Sequence, residues 1–223
     1  MIADRIAVLM YHRVAQPKNK WEQRMAVSPK RFRAQLLALK QHGYQAISME
    51  QFWAWHAGRA MLPAQSFLLT FDDGYLDVYE NAAPILSELG WPATMFLVSQ
   101  FIGGKDEWCA DENPSGALYP LMSTTHIHQL AAQGFSFYSH ANTHTDLPTL
   151  PDDALNEQLV NSKLDIEALL GHPVPYLAYP FGRHDDRVVS AAQQAGYTGG
   201  FSVIPGFNRP GQDPYRIRRL DVT

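Results

Sequence analysis

The chain has 223 residues, of which 46% are hydrophobic and 18% are charged, as expected for one globular domain with a substantial core. Its formal net charge is −4 and it has no basic run, which argues against nucleic acid or an anionic membrane as partner. Cys109 is the only cysteine, so an intrachain disulfide is excluded and a reducing compartment is weakly favoured. The sequence shows neither a signal-peptide pattern nor a transmembrane segment. As written, it is expected to be cytoplasmic; export remains possible if its N-terminus is truncated.

Apolar runs with β character alternate with helical patterns along the chain. Strands are predicted at 6–11, 45–47, 66–71, 93–98, 135–139, 176–179, 198–203 and 216–222. Helices are predicted at 29–42, 49–57, 76–89, 124–133, 151–170 and 186–195. This alternation predicts an α/β fold with a parallel sheet or a β/α barrel, as a single domain over residues 1–223. An open, doubly wound sheet is the alternative, weakened because no Gly-rich nucleotide loop follows the first strand.

Residues 100–122 are irregular and rich in glycine and proline. A loop of this length is either a cleft wall or lid, or a tolerated insertion. We expect it to be more mobile than the strands and to border a cleft. Trp108 within it is a candidate to stack on a sugar ring, and a role in the core is equally compatible with its composition.

The chain is organised around the stretch from Ser66 to Tyr75, an apolar run that ends in Asp72, Asp73 and Gly74. Side chains alternate along a strand, so the two carboxylates can point in different directions and hold different roles. A buried strand that delivers charge at its carboxyl end is typical of α/β active sites. The alternative is an Asp-Asp-Gly turn that only closes the strand.

Other polar residues follow other predicted strands. His12 follows the first strand, and His140 and His144 follow the fifth. In a β/α barrel these positions meet on one face. The spacing of His140 and His144 allows both imidazoles to reach one metal ion, and a carboxylate from another strand would complete a three-ligand site with an open position for water. The other histidines are expected at the surface: His42, His56, His126, His128, His172 and His184.

These motifs resemble the polysaccharide deacetylase family, the NodB-homology domain of carbohydrate esterase family four. The resemblance is carried by Thr70–Tyr75 and Ser139–His144, with Tyr179–Gly182 similar to the family's third motif. It implies a distorted (β/α) barrel that removes N-acetyl groups from amino sugars with a divalent metal, usually Zn²⁺. The roles it implies are a base for Asp72, metal ligands for Asp73, His140 and His144, oxyanion binding by the backbone N–H of Phe181, and substrate binding by Tyr75, Tyr179, Pro180, Phe181 and Gly182.

Two features depart from the family pattern. No arginine precedes Pro180, so the group that orients Asp72 in the family is either missing here or comes from elsewhere, such as Arg218 or Arg219. The usual Leu-x-His near the C-terminus is also absent. His12 at the end of the first strand is instead similar to the circularly permuted branch, which includes the poly-N-acetylglucosamine deacetylases and takes its acid histidine from the N-terminal strand.

The sequence therefore predicts a metal-dependent hydrolase that removes N-acetyl groups from amino sugars in a polysaccharide. Its partner would be a carbohydrate. Two alternatives remain open: an amide hydrolase for a small nitrogenous substrate, and a carbohydrate-binding protein that kept the fold without the chemistry.

Overall fold

The computed structural model describes residues 2–223, so that only Met1 of the predicted domain lies outside the described residues. The strands are β1 (Ala7–Tyr11), β2 (Arg13–Val14), β3 (Ala26–Val27), β4 (Gln45–Ile47), β5 (Ser66–Phe71), β6 (Thr94–Leu97), β7 (Ser136–Ser139), β8 (Tyr176–Ala178), β9 (Gly199–Phe201) and β10 (Leu220–Asp221). The helices are α1 (Pro29–Gln41), α2 (Met49–His56), α3 (Ala83–Leu89), α4 (Thr124–Ala131), α5 (Asp152–Leu170) and α6 (Asp186–Gln194).

Eight strands form one parallel sheet in the order β10-β1-β5-β6-β7-β8-β9, with β4 also paired to β5. Ile217, just before β10, forms a parallel bridge with Phe201 in β9, while Leu220 in β10 pairs with Leu9 in β1. The final segment thus contacts both ends of the sheet, which curls into a distorted barrel. The predicted barrel is confirmed, and the open doubly wound sheet is wrong.

Local sequence signals set the boundaries of these elements. Every residue of β5 is buried, which explains why its sequence is a continuous apolar run rather than an alternating one. The hydroxyl of Ser48 accepts a hydrogen bond from the N–H of Gln51, whose side chain accepts one from the N–H of Ser48, so a capping box begins α2. Residues 78–82 form a π turn that continues into α3, with Pro84 in the first turn of that helix.

Two features near the surface differ from the elements and positions predicted from the sequence. Residues 15–27, for which no helix or strand is predicted, include the 3₁₀ turn Glu22–Arg24 and the strand β3, which pairs with β2 in a small second sheet. His56 is buried, with only 4% of its surface exposed, because its ring packs against Phe52 and Trp53. A histidine near a helix end therefore belongs to the core here.

The long segment 100–122 is held by buried polar contacts. Asp106 is buried, and its carboxylate accepts hydrogen bonds from the N–H of Tyr119 and, at 3.0 Å, from the hydroxyl of Tyr75. Cys109 and Asn113 are also buried. The expected greater mobility of segment 100–122 stays a prediction. The buried contacts argue against a segment that moves freely as a lid. Within residues 2–223, none of the helices has the length and apolarity needed to span a bilayer.

Candidate active site

A cavity of about 280 Å³ opens at the carboxyl ends of the strands. The predicted catalytic and metal-binding residues, which come from four different strand ends, all line it. These residues are His12, Asp72, Asp73, His140, His144 and Phe181. The parallel sheet explains this convergence, because the carboxyl ends of parallel strands lie on one face of the barrel.

Asp72 is fixed by a buried arginine from the C-terminal segment. The Arg219 guanidinium donates two parallel hydrogen bonds to the Asp72 carboxylate, at 2.6 and 2.7 Å, and a third, from Nε, to the carbonyl oxygen of Ser202 at 2.8 Å. Burial raises the pKa of Asp72, but the charge and hydrogen bonds of Arg219 outweigh burial and bring that pKa to about 2. Asp72 is therefore ionised and held in one orientation. Of the two arginines named as candidates, Arg219 is therefore the one that bonds to Asp72, whereas exposed Arg218 donates to the carbonyl oxygen of Pro205.

Asp73, His140 and His144 form a compact buried group whose potential ligand atoms all lie within 4.8 Å of one another. The Oδ1 atom of Asp73 is 3.4 Å from Nε2 of His140 and 3.3 Å from Nε2 of His144. Nδ1 of His140 lies 2.8 Å from the carbonyl oxygen of Ala178, so Nδ1 carries the proton and Nε2 is left free with its lone pair facing Asp73. This is the donor set of a three-ligand metal site.

The surroundings of Asp73 support that assignment. Both of its carboxylate oxygens are buried and lack a hydrogen-bond partner. Burial, together with the neighbouring Asp72 charge, raises the pKa of Asp73 well above its ordinary value. An unpaired buried carboxylate is costly unless it is protonated or coordinates a cation. Two imidazole nitrogens beside it make a metal ion the fitting counter-charge.

Unusual backbone geometry concentrates at the same place. Among residues 2–223, the non-glycine residues with positive φ are Asp73, Ala141, His144 and Phe181, with φ values from 56° to 74°. Each lies in or beside a sequence motif of the site, and such conformations are unfavourable unless the surrounding structure holds them. The surrounding structure therefore holds these four residues in strained backbone conformations, and these conformations set the directions of their side chains.

The loop between the two histidines is held by helix α5. The side-chain oxygen of Gln158 accepts hydrogen bonds from the N–H and the hydroxyl of Thr143, at 2.9 and 3.1 Å. The Asn142 amide donates to Ser99 Oγ at 2.9 Å, and that hydroxyl in turn donates to Asp165 at 3.0 Å. These contacts orient the histidine pair from outside the cavity.

His12 lies on the cavity wall, as predicted. Its Nδ1 atom is buried without a hydrogen-bond partner. Burial lowers the pKa of His12, and the carboxylates of Asp72 and Asp221 act in the opposite direction. A titratable ring at this position is available to exchange a proton with a bound substrate.

Comparison with known proteins identifies the family. The sequence profile described as polysaccharide deacetylase matches residues 60–200. The chain belongs to the polysaccharide deacetylase family. The prediction of a hydrolase of this family is thereby confirmed. The family is metal-dependent, and the buried Asp73, His140 and His144 group can bind a metal ion.

Individual relatives of this deacetylase cover almost its whole length. YxkH of Bacillus subtilis is 26% identical over 219 residues, which span 98% of this chain and 72% of that protein. The poly-beta-1,6-N-acetyl-D-glucosamine N-deacetylase of Staphylococcus aureus is 24% identical over 232 residues, 96% of this chain and 78% of that protein. The structure of IcaB from Ammonifex degensii has 27% identity and a TM-score of 0.84, and it covers 99% of this chain and 93% of that chain.

The predicted substrate-binding residues of the deacetylase lie at different places relative to the cavity. Phe181 and Gly182 line the cavity, whereas Tyr75, Tyr179 and Pro180 do not. The hydroxyl of Tyr75 is buried against Asp106, and that of Tyr179 donates to the carbonyl oxygen of Tyr215 at 3.0 Å. The hydroxyl groups of both tyrosines are thus engaged by other parts of the chain, and substrate binding by Tyr75, Tyr179 and Pro180 stays a prediction.

The deacetylase cavity also has lining residues that the sequence did not single out. Trp21 and Arg24 line it from the segment between β2 and β3, and Glu112 lines it from segment 100–122. The sequence offers no motif that marks these residues. The one indication is that Trp21 and Arg24 lie in the segment that comes shortly after His12 in the chain. Trp108, a predicted candidate, lines the cavity and stacks on the His144 ring at 4.9 Å between ring centres.

Proposed function

We propose that this protein is a Zn²⁺-dependent deacetylase that hydrolyses N-acetyl groups of amino sugars within a glycan, with Asp73, His140 and His144 as the metal ligands. The observation that carries the proposal is the buried, unpartnered Asp73 carboxylate beside two imidazole nitrogens, in a cavity that also holds Asp72 and His12. One carboxylate and two imidazoles suit zinc and leave an open position.

A zinc ion held by these residues would acidify a water molecule and polarise the acetamide carbonyl, which offsets the weak basicity of a carboxylate whose pKa is about 2. The residues of the chain supply the rest. Asp72, ionised and oriented by Arg219, accepts the proton of the attacking water. The backbone N–H of Phe181 donates a hydrogen bond to the carbonyl oxygen as negative charge develops there.

His12 is the proposed acid for the leaving group. An amine leaves readily only if its nitrogen is protonated as the C–N bond breaks, so a proton must reach that nitrogen from a nearby group. His12 lines the cavity with Asp72 and His140. Burial lowers the pKa of its imidazole, while the carboxylates of Asp72 and Asp221 favour the protonated ring that the acid role requires. The products are a free amine on the sugar and acetate.

The proposed substrate class is poly-N-acetylglucosamine, and the β-1,6-linked polymer is the first candidate. The support is the name of the Staphylococcus aureus relative, which aligns with 96% of this chain. The relevant experiment measures acetate release from a panel of β-1,6- and β-1,4-linked N-acetylglucosamine oligomers and from small amides. Release from small amides alone would contradict the glycan assignment and favour an amide hydrolase for small substrates.

The metal assignment is tested separately. His144→Ala should abolish tight zinc binding, because two remaining ligands cannot form a stable catalytic site. Metal content after dialysis against a chelator measures this, with the surface variant His128→Ala as the matched control. A His144→Ala variant that retains zinc as well as the parent would refute the ligand set. Zinc binding without acetate release from any substrate would indicate a carbohydrate-binding protein.

A further inference from the structure

The short turn Glu22–Arg24 forms a wall of the cavity that the mechanism does not use. It lies between β2 and β3, which pair side by side directly after His12. Trp21, which precedes the turn, and Arg24, which ends it, both line the cavity that contains Asp73. The turn is therefore held next to the reacting centre by its own small sheet.

Glu22 anchors this turn from its inner side. Its side chain is buried, with 1% exposure, and its carboxylate accepts hydrogen bonds from the N–H of Lys18 at 2.7 Å and the hydroxyl of Tyr119 at 2.6 Å. Burial raises the pKa of Glu22, but these hydrogen bonds and the nearby Arg13 charge outweigh it, so that pKa lies below its ordinary value. A buried, ionised and fully bonded carboxylate fixes the turn to segment 100–122.

Trp21 and Arg24 are left without partners of their own. Across residues 2–223, neither the indole of Trp21 nor the guanidinium of Arg24 takes part in a hydrogen bond, ion pair or ring contact with another side chain. Trp108 differs, because its ring is stacked on His144 and also packs against Phe101 at 5.4 Å. Of the two cavity tryptophans, Trp21 is thus the one whose ring faces are not used by other rings.

We propose that Trp21 and Arg24 form a subsite for a second sugar unit, adjacent to the unit that loses its acetyl group. The C–H face of a pyranose ring is apolar and stacks on an indole, while an arginine supplies several N–H donors for hydroxyl and ring oxygens. The subsite rests on the proposed function and narrows it, because it makes the substrate a chain of at least two units. Trp108 differs in that its ring is already stacked on His144.

The test measures how activity depends on chain length. The ratio of kcat/KM for a β-1,6-linked N-acetylglucosamine pentamer to that for the monosaccharide should exceed one in the parent. Trp21→Ala should lower this ratio about tenfold, the effect of losing roughly one apolar side-chain contact. Trp21→Phe should restore most of it. Arg24→Ala should lower it less, because one polar contact is lost at an exposed side chain.

Matched controls are Tyr44→Ala and Arg33→Ala, an exposed aromatic residue and an exposed cation outside the cavity. Both should keep the parental ratio. Glu22→Gln offers a second route, because it weakens the anchor without removing a cavity residue, and it should lower the ratio while zinc content stays normal. A ratio unchanged in both Trp21→Ala and Glu22→Gln would overturn the subsite.

Binding measurements separate the subsite from the reaction. In calorimetry with metal-free protein, the pentamer should bind the parent about tenfold more tightly than Trp21→Ala. If the parent binds the pentamer in this way but releases no acetate from any glycan, the proposed function fails and the subsite stands. If the parent deacetylates the pentamer and both proteins bind it equally, the subsite fails and the proposed function stands.

Discussion

The pair formed by Arg219 and Asp72 gives the most demanding prediction. Replacing Arg219 with Met keeps an apolar stem of similar length but removes three buried hydrogen bonds. It leaves Asp72, whose side chain is 2% exposed, as a buried carboxylate without a counter-charge. Breaking one side of a buried ion pair costs about 3–5 kcal/mol. For a domain of this size, that loss should lower the melting temperature by roughly 6–20 °C.

A matched control is Arg216→Met. Arg216 also forms ion pairs with two carboxylates, but its side chain is 36% exposed and Asp186 is 98% exposed. Solvent screens such a pair, so its loss should cost only about 0–1 kcal/mol. Thermal and urea unfolding of both variants, with and without bound metal, give the comparison.

The catalytic readout uses Arg219→Lys. Lysine retains the positive charge but cannot donate two parallel hydrogen bonds in the geometry of a guanidinium. Stability should therefore recover in part, while turnover falls because Asp72 is no longer held in one orientation. The double variant Arg219→Met with Asp72→Asn removes both charges. It should therefore lose less unfolding free energy than the sum of the losses in the two single variants. If Arg219→Met unfolds within about 1 kcal/mol of the parent and keeps near-normal turnover, the orienting role is wrong.

Further predictions concern the catalytic and supporting residues. Asp72→Asn and His12→Ala should each keep normal metal content and lower acetate release by about 10²–10⁴-fold, and the His12 variant should also lose one pKa from its pH–rate profile. Gln158→Leu should weaken metal binding by roughly 10–100-fold in chelator competition, because Thr143 in the ligand loop loses its acceptor. Glu22 has a lowered pKa, so its stabilisation is present above its ordinary pKa and lost as the pH falls through the lowered value. In Glu22→Gln, the unfolding free energy should therefore fall less steeply with decreasing pH in the acid range than it does in the parent. A variant whose acetate release, metal affinity or acid unfolding matches that of the parent would contradict the role assigned to the residue that was replaced.

The sequence determined the order of strands and helices and the identity of the central motifs. Apolar runs and capping residues act within a few positions, so a reading of local pattern locates β5 and the capped start of α2. Polar residues at the ends of strands then predicted one site, because parallel strands place those ends together. The resemblance to the deacetylase family added roles for Asp72, Asp73, His140 and His144, and the fold places these four side chains in one cavity.

Tertiary structure alone decided which neighbouring side chains face the site. Arg218 and Arg219 are adjacent arginines, and the sequence gives no reason to prefer either. Side chains alternate near a strand, so only one of the two can face the interior. The pairing of β10 with β1 makes that residue Arg219. Tyr75 follows the Asp-Asp-Gly motif yet turns into the core. Trp21 becomes a wall of the cavity because Glu22 bonds to Tyr119, which lies far along the chain. Contacts of this kind depend on distant segments meeting, and no local pattern encodes them.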